Sequence, residues 1–514
     1  MRIVYIALSV SIFFLSVSFN AFADNRGETP KDRLERLNRD IKKLHQKVTL
    51  KSIDDLTKKT TMMKDLAVNS KRIFSTMPEL SYEDQKEFTF KTGFGLSNVD
   101  STDYYLFNAF PSYTSLDKSI AASINLPLRF SSKGFDFRKE DYRTFTQVLS
   151  AFNFNYTYLN SQKDFQFKGN FTEMKELTLG KGSTMYQYNN STSYEDRKAG
   201  INMQMAIRGS DVGLYASDIT NGGILAGDFN AEVLNLLGGS NGKLDLPVLK
   251  GAYLGFNYAG DFNKYAGITK IDSTSGAILE DKGAMNTING YLQMRLFDKK
   301  EFNIDLYGDY SKIFGFGDNF SAGMDVVLDL DKYAAMTVTL QRRFQKGKFL
   351  PTYFDGFYET DRYSVLTRSN GTQVLNSKAA ILDSVQELGG STLGQVSGHL
   401  AKQLYFLGAY QKIDKGDLGG ELFLVAALPK LIENMAIYGG YYKRRITDSK
   451  QIFTFDENSY FFGRMDYLFN NFIIFSLSYR QTFAAERDLQ NNVIGYSPQK
   501  VLQPEVNFVF PFGR

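Results

Sequence analysis

The sequence predicts an all-β membrane protein, a closed antiparallel transmembrane β-barrel of about 18 strands (range about 16–20), preceded by a short N-terminal helical segment. Three observations predict it. Apolar residues recur with a period of two from Phe88 to the C-terminus, and the composition favours Phe, Tyr and Gly. The chain also opens with an export signal, after which no apolar run is long enough for a spanning helix.

The export signal comes first. Met1 and Arg2 give a short positive start, residues 3–19 form an apolar run broken by small hydroxyl residues, and Ala21-Phe22-Ala23 supplies small residues where signal peptidase cuts. The expected organisation is therefore a signal peptide over residues 1–23, a periplasmic helical or coiled-coil segment over 24–78, and the barrel over 79–514. Mature protein is expected to begin near Asp24, exported to the cell outer membrane of a Gram-negative bacterium.

Composition narrows the class. There are 44 Phe, 31 Tyr and 43 Gly against 10 Pro, 2 His and no Trp. Such a balance suits strands, aromatic girdles and tight turns. With no Cys, disulfides and thiolate chemistry are excluded. A membrane protein without an apolar run of about 18 residues can span only as a barrel, because alternating strands hide their apolar face from an averaging window.

Residues 31–75 carry a helical pattern. Leu34, Leu37, Ile41, Leu44 and Val48 follow 3-4 spacing, and a second set, Leu50, Ile53 and Leu56, falls out of register. About thirteen Lys and Arg face about six Asp and Glu between Lys31 and Arg72, which leaves the rest of the chain slightly acidic. The segment serves either as one amphipathic helix or as a short coiled coil, and its basic face suits acidic cell-wall polymer or lipid headgroups.

Beyond Phe88 the period is two. Phe152, Phe154, Tyr156 and Tyr158 alternate with polar residues, as do Phe165, Phe167 and Phe171, and Ile201, Met203, Met205 and Ile207. The same holds for Phe302, Ile304 and Leu306, and for Ile473, Phe475, Leu477 and Tyr479. Alternate residues of a strand face opposite sides of its sheet. Many segments have the nine to eleven residues or so that a tilted spanning strand needs. Aromatic pairs near segment ends (Tyr104 and Tyr105, Tyr441 and Tyr442, Tyr460 to Phe462, Phe510 and Phe512) suit interfacial girdles.

Turn signals set the rims. Asn470-Asn471 and Asp298-Lys299-Lys300 mark tight hairpins, whereas residues 131–143, 180–198, 260–286 and 360–378 are longer polar loops. The dense aromatic and charged segment 342–362 reads better as a girdle with flanking charges than as a loop folded inward. Signal peptide, short helix and aromatic-rich barrel together resemble the bacterial porins that carry an N-terminal coiled coil, such as the phosphate-selective and sucrose-specific porins. The resemblance implies a homotrimer with its helices in the periplasm. The chain departs from that pattern at its end, where Gly513-Arg514 follows the strand of Val506, Phe508, Phe510 and Phe512.

Strand parity places Lys91, Lys168, Arg208, Arg295, Asp305, Asp309, Asp325, Asp329, Arg343 and Arg480 on the polar face, as candidates for a lumen wall. A nucleophile without an oriented base is inert, and Ser397 and His399 share a face with no acid partner, so no enzyme is expected. No cofactor or metal site is expected either. Asp414-x-x-Asp417 reads as a turn, and Asn221-Gly222-Gly223 and Gly238-Gly239-Ser240 lack the strand-to-helix setting of phosphate loops. The expected function is passive diffusion of small hydrophilic solutes or ions through an outer-membrane channel. The alternatives are a substrate-specific or plugged transporter, or a structural or adhesive barrel that ties the membrane to the cell wall through residues 31–75. The expected partners are outer-membrane lipid and small solutes, not nucleic acid.

Overall fold

The computed structural model describes residues 87–159, 165–207, 210–236, 251–299, 301–330, 333–367, 372–386, 388–401, 403–416, 418–432, 434–488 and 493–512. The expected signal peptide, the basic helical segment, Arg208, Gly238-Gly239-Ser240 and Gly513-Arg514 lie outside these residues.

The chain runs through β1 (Phe88–Val99), β2 (Thr102–Thr114), β3 (Ile120–Ile124), β4 (Leu126–Ser131), β5 (Phe152–Leu159), β6 (Phe165–Thr172) and β7 (Gly200–Ile207). It continues through β8 (Ser210–Ala216), β9 (Ile224–Glu232), β10 (Ala252–Asp261), the hairpin β11 (Ile268–Ile271) and β12 (Ile278–Asp281), and β13 (Met285–Lys299). Next come β14 (Phe302–Ile313), β15 (Gly317–Asp329), β16 (Ala334–Gly347), the hairpin β17 (Ser364–Thr367) and β18 (Gln373–Asn376), and β19 (Gly390–Leu400). The last are β20 (Leu404–Ile413), β21 (Gly420–Ile432), β22 (Met435–Ile446), β23 (Ser459–Asn470), β24 (Ile473–Arg487) and β25 (Val493–Phe512).

Excluding the two hairpins, these form one sheet of 21 strands in which neighbours pair antiparallel. β25 returns to pair with β1, from Phe88 opposite Phe512 to Val99 opposite Val501, so the sheet closes on itself. β3 and β4 both pair with β2 and are two halves of one stave broken at Asn125, which makes 21 − 1 = 20 staves. That exceeds the central expectation of about 18 because β5 to β8 have only 7 or 8 residues each, shorter than the spacing rule anticipates.

At the break, β5 pairs with β3 but not with β4. The free edge of β4 is covered instead by the chain that follows it, through Ser131 N–H to Asp136 O at 2.8 Å and Arg138 N–H to Arg129 O at 2.9 Å. Pro127, which has no N–H to give, is tolerated on such an edge.

Hairpin order separates two rims. One rim carries the short turns, including those after β13, β15, β19, β21 and β23. The other carries residues 132–151, 173–199, 262–284, 348–389 and 447–458. The four long polar segments expected from the sequence all connect strands at this second rim.

Outward side chains are apolar. Leu254, Phe256, Leu292, Leu306, Phe320, Leu340 and Phe344 are exposed on one face of β10, β13, β14, β15 and β16, with Leu254 opposite Leu292 and Phe320 opposite Phe344 in register. An apolar belt around a closed sheet is the surface a barrel presents to lipid. The girdle expectation needs correction, because adjacent residues of a strand face opposite sides: Tyr105 points outward, while Tyr104 shares the inner face with Leu106 and stands opposite Ser97. Tyr441 and Phe461 point outward, but their neighbours Tyr442 and Tyr460 share the inner face with Phe423.

Candidate functional site: a lumen filled by two inward loops

Two of the long connections do not extend away from the rim; they fold into the barrel. Residues 173–199 form a hairpin, with Leu177 N–H donating to Tyr188 O at 3.0 Å and Tyr188 N–H to Leu177 O at 2.9 Å. Gly180 and Gly182 turn its tip at φ +52° and +77°, a region that glycine enters without steric cost. A Cβ on Gly180 would stand 2.3 Å from Asn257 Nδ2 of the wall, so the tip is pressed against β10.

The segment 348–389 docks on that hairpin. Tyr186 N–H donates to Phe354 O, Phe354 N–H to Thr184 O and Thr352 N–H to Ser183 O, each at 3.0 Å. Met174, Leu179, Met185 and Tyr188 of the first loop and Phe349, Leu350, Tyr353, Phe354 and Tyr358 of the second share one buried apolar cluster. Gly356 approaches the wall so closely that a Cβ would meet Tyr442 Cε1 at 2.6 Å. The 342–362 segment is therefore not a girdle past the end of β16, but an apolar core enclosed by the barrel.

Buried charge latches both loops to the wall and to each other. Arg362 bonds Asp261 of β10 at 2.5 Å and Glu359 at 2.7 and 2.9 Å, and Lys198 pairs with Glu359. Burial works against the charge on Glu359, yet Arg362 and Lys198 outweigh it and hold the carboxyl at about 2. Lys378 meets Asp355 at 2.5 Å, and Arg444 of β22 pairs with Asp361. A third loop joins through Arg138, which pairs with Asp141 and Glu195, while Arg129 meets Asp141 at 2.8 Å and Tyr194 at 2.7 Å.

The sequence-derived lumen residues divide accordingly. Lys91, Lys168, Arg295, Asp305, Asp309, Asp325, Asp329, Arg343 and Arg480 all lie on strands and fall on the face that register assigns to the interior. Several do not face open water as the sequence suggested, because the loops cover them. Asp309 accepts from Ser183 Oγ at 2.7 Å, Asp325 pairs with Lys181 at 3.1 Å, and Arg343 donates to the carbonyl of Gly182 at 3.3 Å. Asp305 is held by Arg295 at 2.9 Å. Lys91, Lys168 and Asp329 are half-buried, and Arg480 is exposed. Sequence reasoning did not name Lys181, Lys198, Glu359 or Arg362 as site residues. Glu359 and Arg362 are a local pair inside the charged segment 342–362, but Lys181–Asp325, Lys198–Glu359 and Arg362–Asp261 join residues far apart in the chain and leave no local signal.

No family model matches the chain, and no curated protein matches it. Solved structures that align include a triple mutant of the porin of Rhodopseudomonas blastica, at 8% identity and TM-score 0.27 over 82% of this chain and 99% of that one. OpdQ of Pseudomonas aeruginosa aligns at 10% identity and TM-score 0.30, over 83% of this chain and 97% of its own. The ferric enterobactin receptor PfeA aligns at 8% and 0.32, over 83% and 82%. Overlap this low carries no argument, and the barrel rests on its strand pairing.

Proposed function

We propose that this chain is an outer-membrane transport barrel that admits solute through a narrow, selective path rather than an open pore of barrel width. The observation that supports this reading is the pair of inward loops, joined by backbone hydrogen bonds and latched by buried ion pairs. A twenty-stave barrel without such a filling encloses a wide aqueous lumen. Here Asp309, Ser321, Gln341 and Arg343 of the wall are buried beneath loop atoms instead. Of the functions the sequence leaves open, the selective or plugged transporter therefore fits better than passive diffusion. Trimer assembly and cell-wall contact through residues 31–75 are proposed on the resemblance and the basic sequence alone.

The test is liposome swelling with neutral sugars of graded size. Reconstituted protein is expected to admit none, or only the smallest. Swelling with sugars up to the cut-off of an unfilled barrel would reject the filled lumen.

A further inference from the structure

Not all of the interior is covered. Lys175 keeps 59% of its side chain exposed although it stands on the inward hairpin, and Arg480 of β24 is exposed on the inner face. Lys175 Nζ meets Glu173 at 3.1 Å, and Arg197 reaches the other oxygen of the same carboxylate at 3.9 Å. Arg480 lies 5.6 Å from the Tyr194 ring and acts electrostatically on both Glu173 and Lys175. Among the described residues Arg480 forms no ion pair, so three cations share the one carboxylate of Glu173. Glu176 adjoins Lys175, but burial raises its carboxyl to about 7, which removes part of its charge near neutrality.

An excess of positive charge inside a low-dielectric wall creates a potential that draws in a mobile anion. Arg presents a planar fork that matches an oxyanion, and Lys a mobile point charge. We infer that Lys175 and Arg480 form a docking site for a small oxyanion, a carboxylate or phosphate, with Arg197 and Glu173 fixing the position of Lys175. The inference rests on the transport reading above and gives its solute class.

Binding of citrate and of inorganic phosphate to detergent-purified, full-length protein is measured by calorimetry, with heat-modifiable gel mobility checking that each variant is folded. Binding needs no conduction, so failure here is distinct from failure of the transport reading. Arg480→Gln is expected to weaken binding of at least one of the two anions about tenfold or more, and Lys175→Gln severalfold. Lys450→Gln, on an exposed outer loop, serves as a matched control and is expected to change nothing. The proposal is overturned if wild type binds neither anion, or if folded Arg480→Gln binds as wild type does. Bilayer reversal potentials give a second measure: anion preference is expected, with a shift toward cations in Arg480→Gln, and an unchanged potential counts against the site.

Discussion

The inner wall of β14 to β16 and the inner wall of β5 to β7 follow the same sequence rule and end in different environments. Both alternate polar with apolar residues, and both turn the polar set inward. On β14 to β16, Asp309, Ser321, Gln341 and Arg343 are buried against Ser183 and the carbonyl of Gly182. On β5 to β7, Asn155 is exposed, while Lys168, Asn170, Asn202 and Gln204 are half-buried. Alternation therefore establishes which way a residue points, and the loops decide whether water reaches it. A buried charge with a hydrogen-bonded partner acts as a latch, and the same residue type at an open wall keeps contact with water.

The comparison can be broken most forcefully at Glu359. Glu359→Ala would leave Lys198 and Arg362 buried without it, a loss of about 3–5 kcal/mol for a broken buried pair. Undocking of residues 348–389 is the expected outcome, read as protease cleavage there and a rise in conductance. Gly356→Val is expected to act in the same direction by about 1–3 kcal/mol, through the close approach to Tyr442. Cleavage kinetics on the folded barrel check both.

A pH series sharpens the same point. The carboxyl of Glu359 is held at about 2, below its ordinary 4.5, so its contribution is fully present above 4.5 and is lost as pH falls toward 2. Protease resistance of the loop should stay flat from neutral pH to about 5 and decline only below about 4.5. Loss of resistance nearer neutrality would mean that another group controls docking. The smallest effect belongs to Arg342–Asp414, an exposed pair at 41% and 36%. Arg342→Gln should cost about 0–1 kcal/mol and leave both conductance and cleavage unchanged.

Much of the barrel was legible in the sequence. Phe152, Phe154, Tyr156 and Tyr158 lie in β5, and Ile473, Phe475, Leu477 and Tyr479 lie in β24, because a period of two is a local property of the strand. Inward parity followed from the same property. What was not legible depends on contacts distant in sequence. Phe349, Tyr353, Phe354 and Tyr358 amid charged neighbours read better as a girdle, and partners such as Met185 and Tyr188, more than 160 residues earlier, make them a core. The break at Asn125 was likewise invisible, since it arises where residues 135–138 take the place of a neighbouring strand.

Single-channel conductance in planar bilayers tests the filled lumen most directly, comparing the full chain with a variant lacking residues 349–363, each verified as a folded barrel by heat-modifiable mobility. The account predicts small or rare steps for the full chain and large, stable, ohmic steps once the loop is removed. Large open-pore steps from the full chain, unchanged by the deletion, would contradict it.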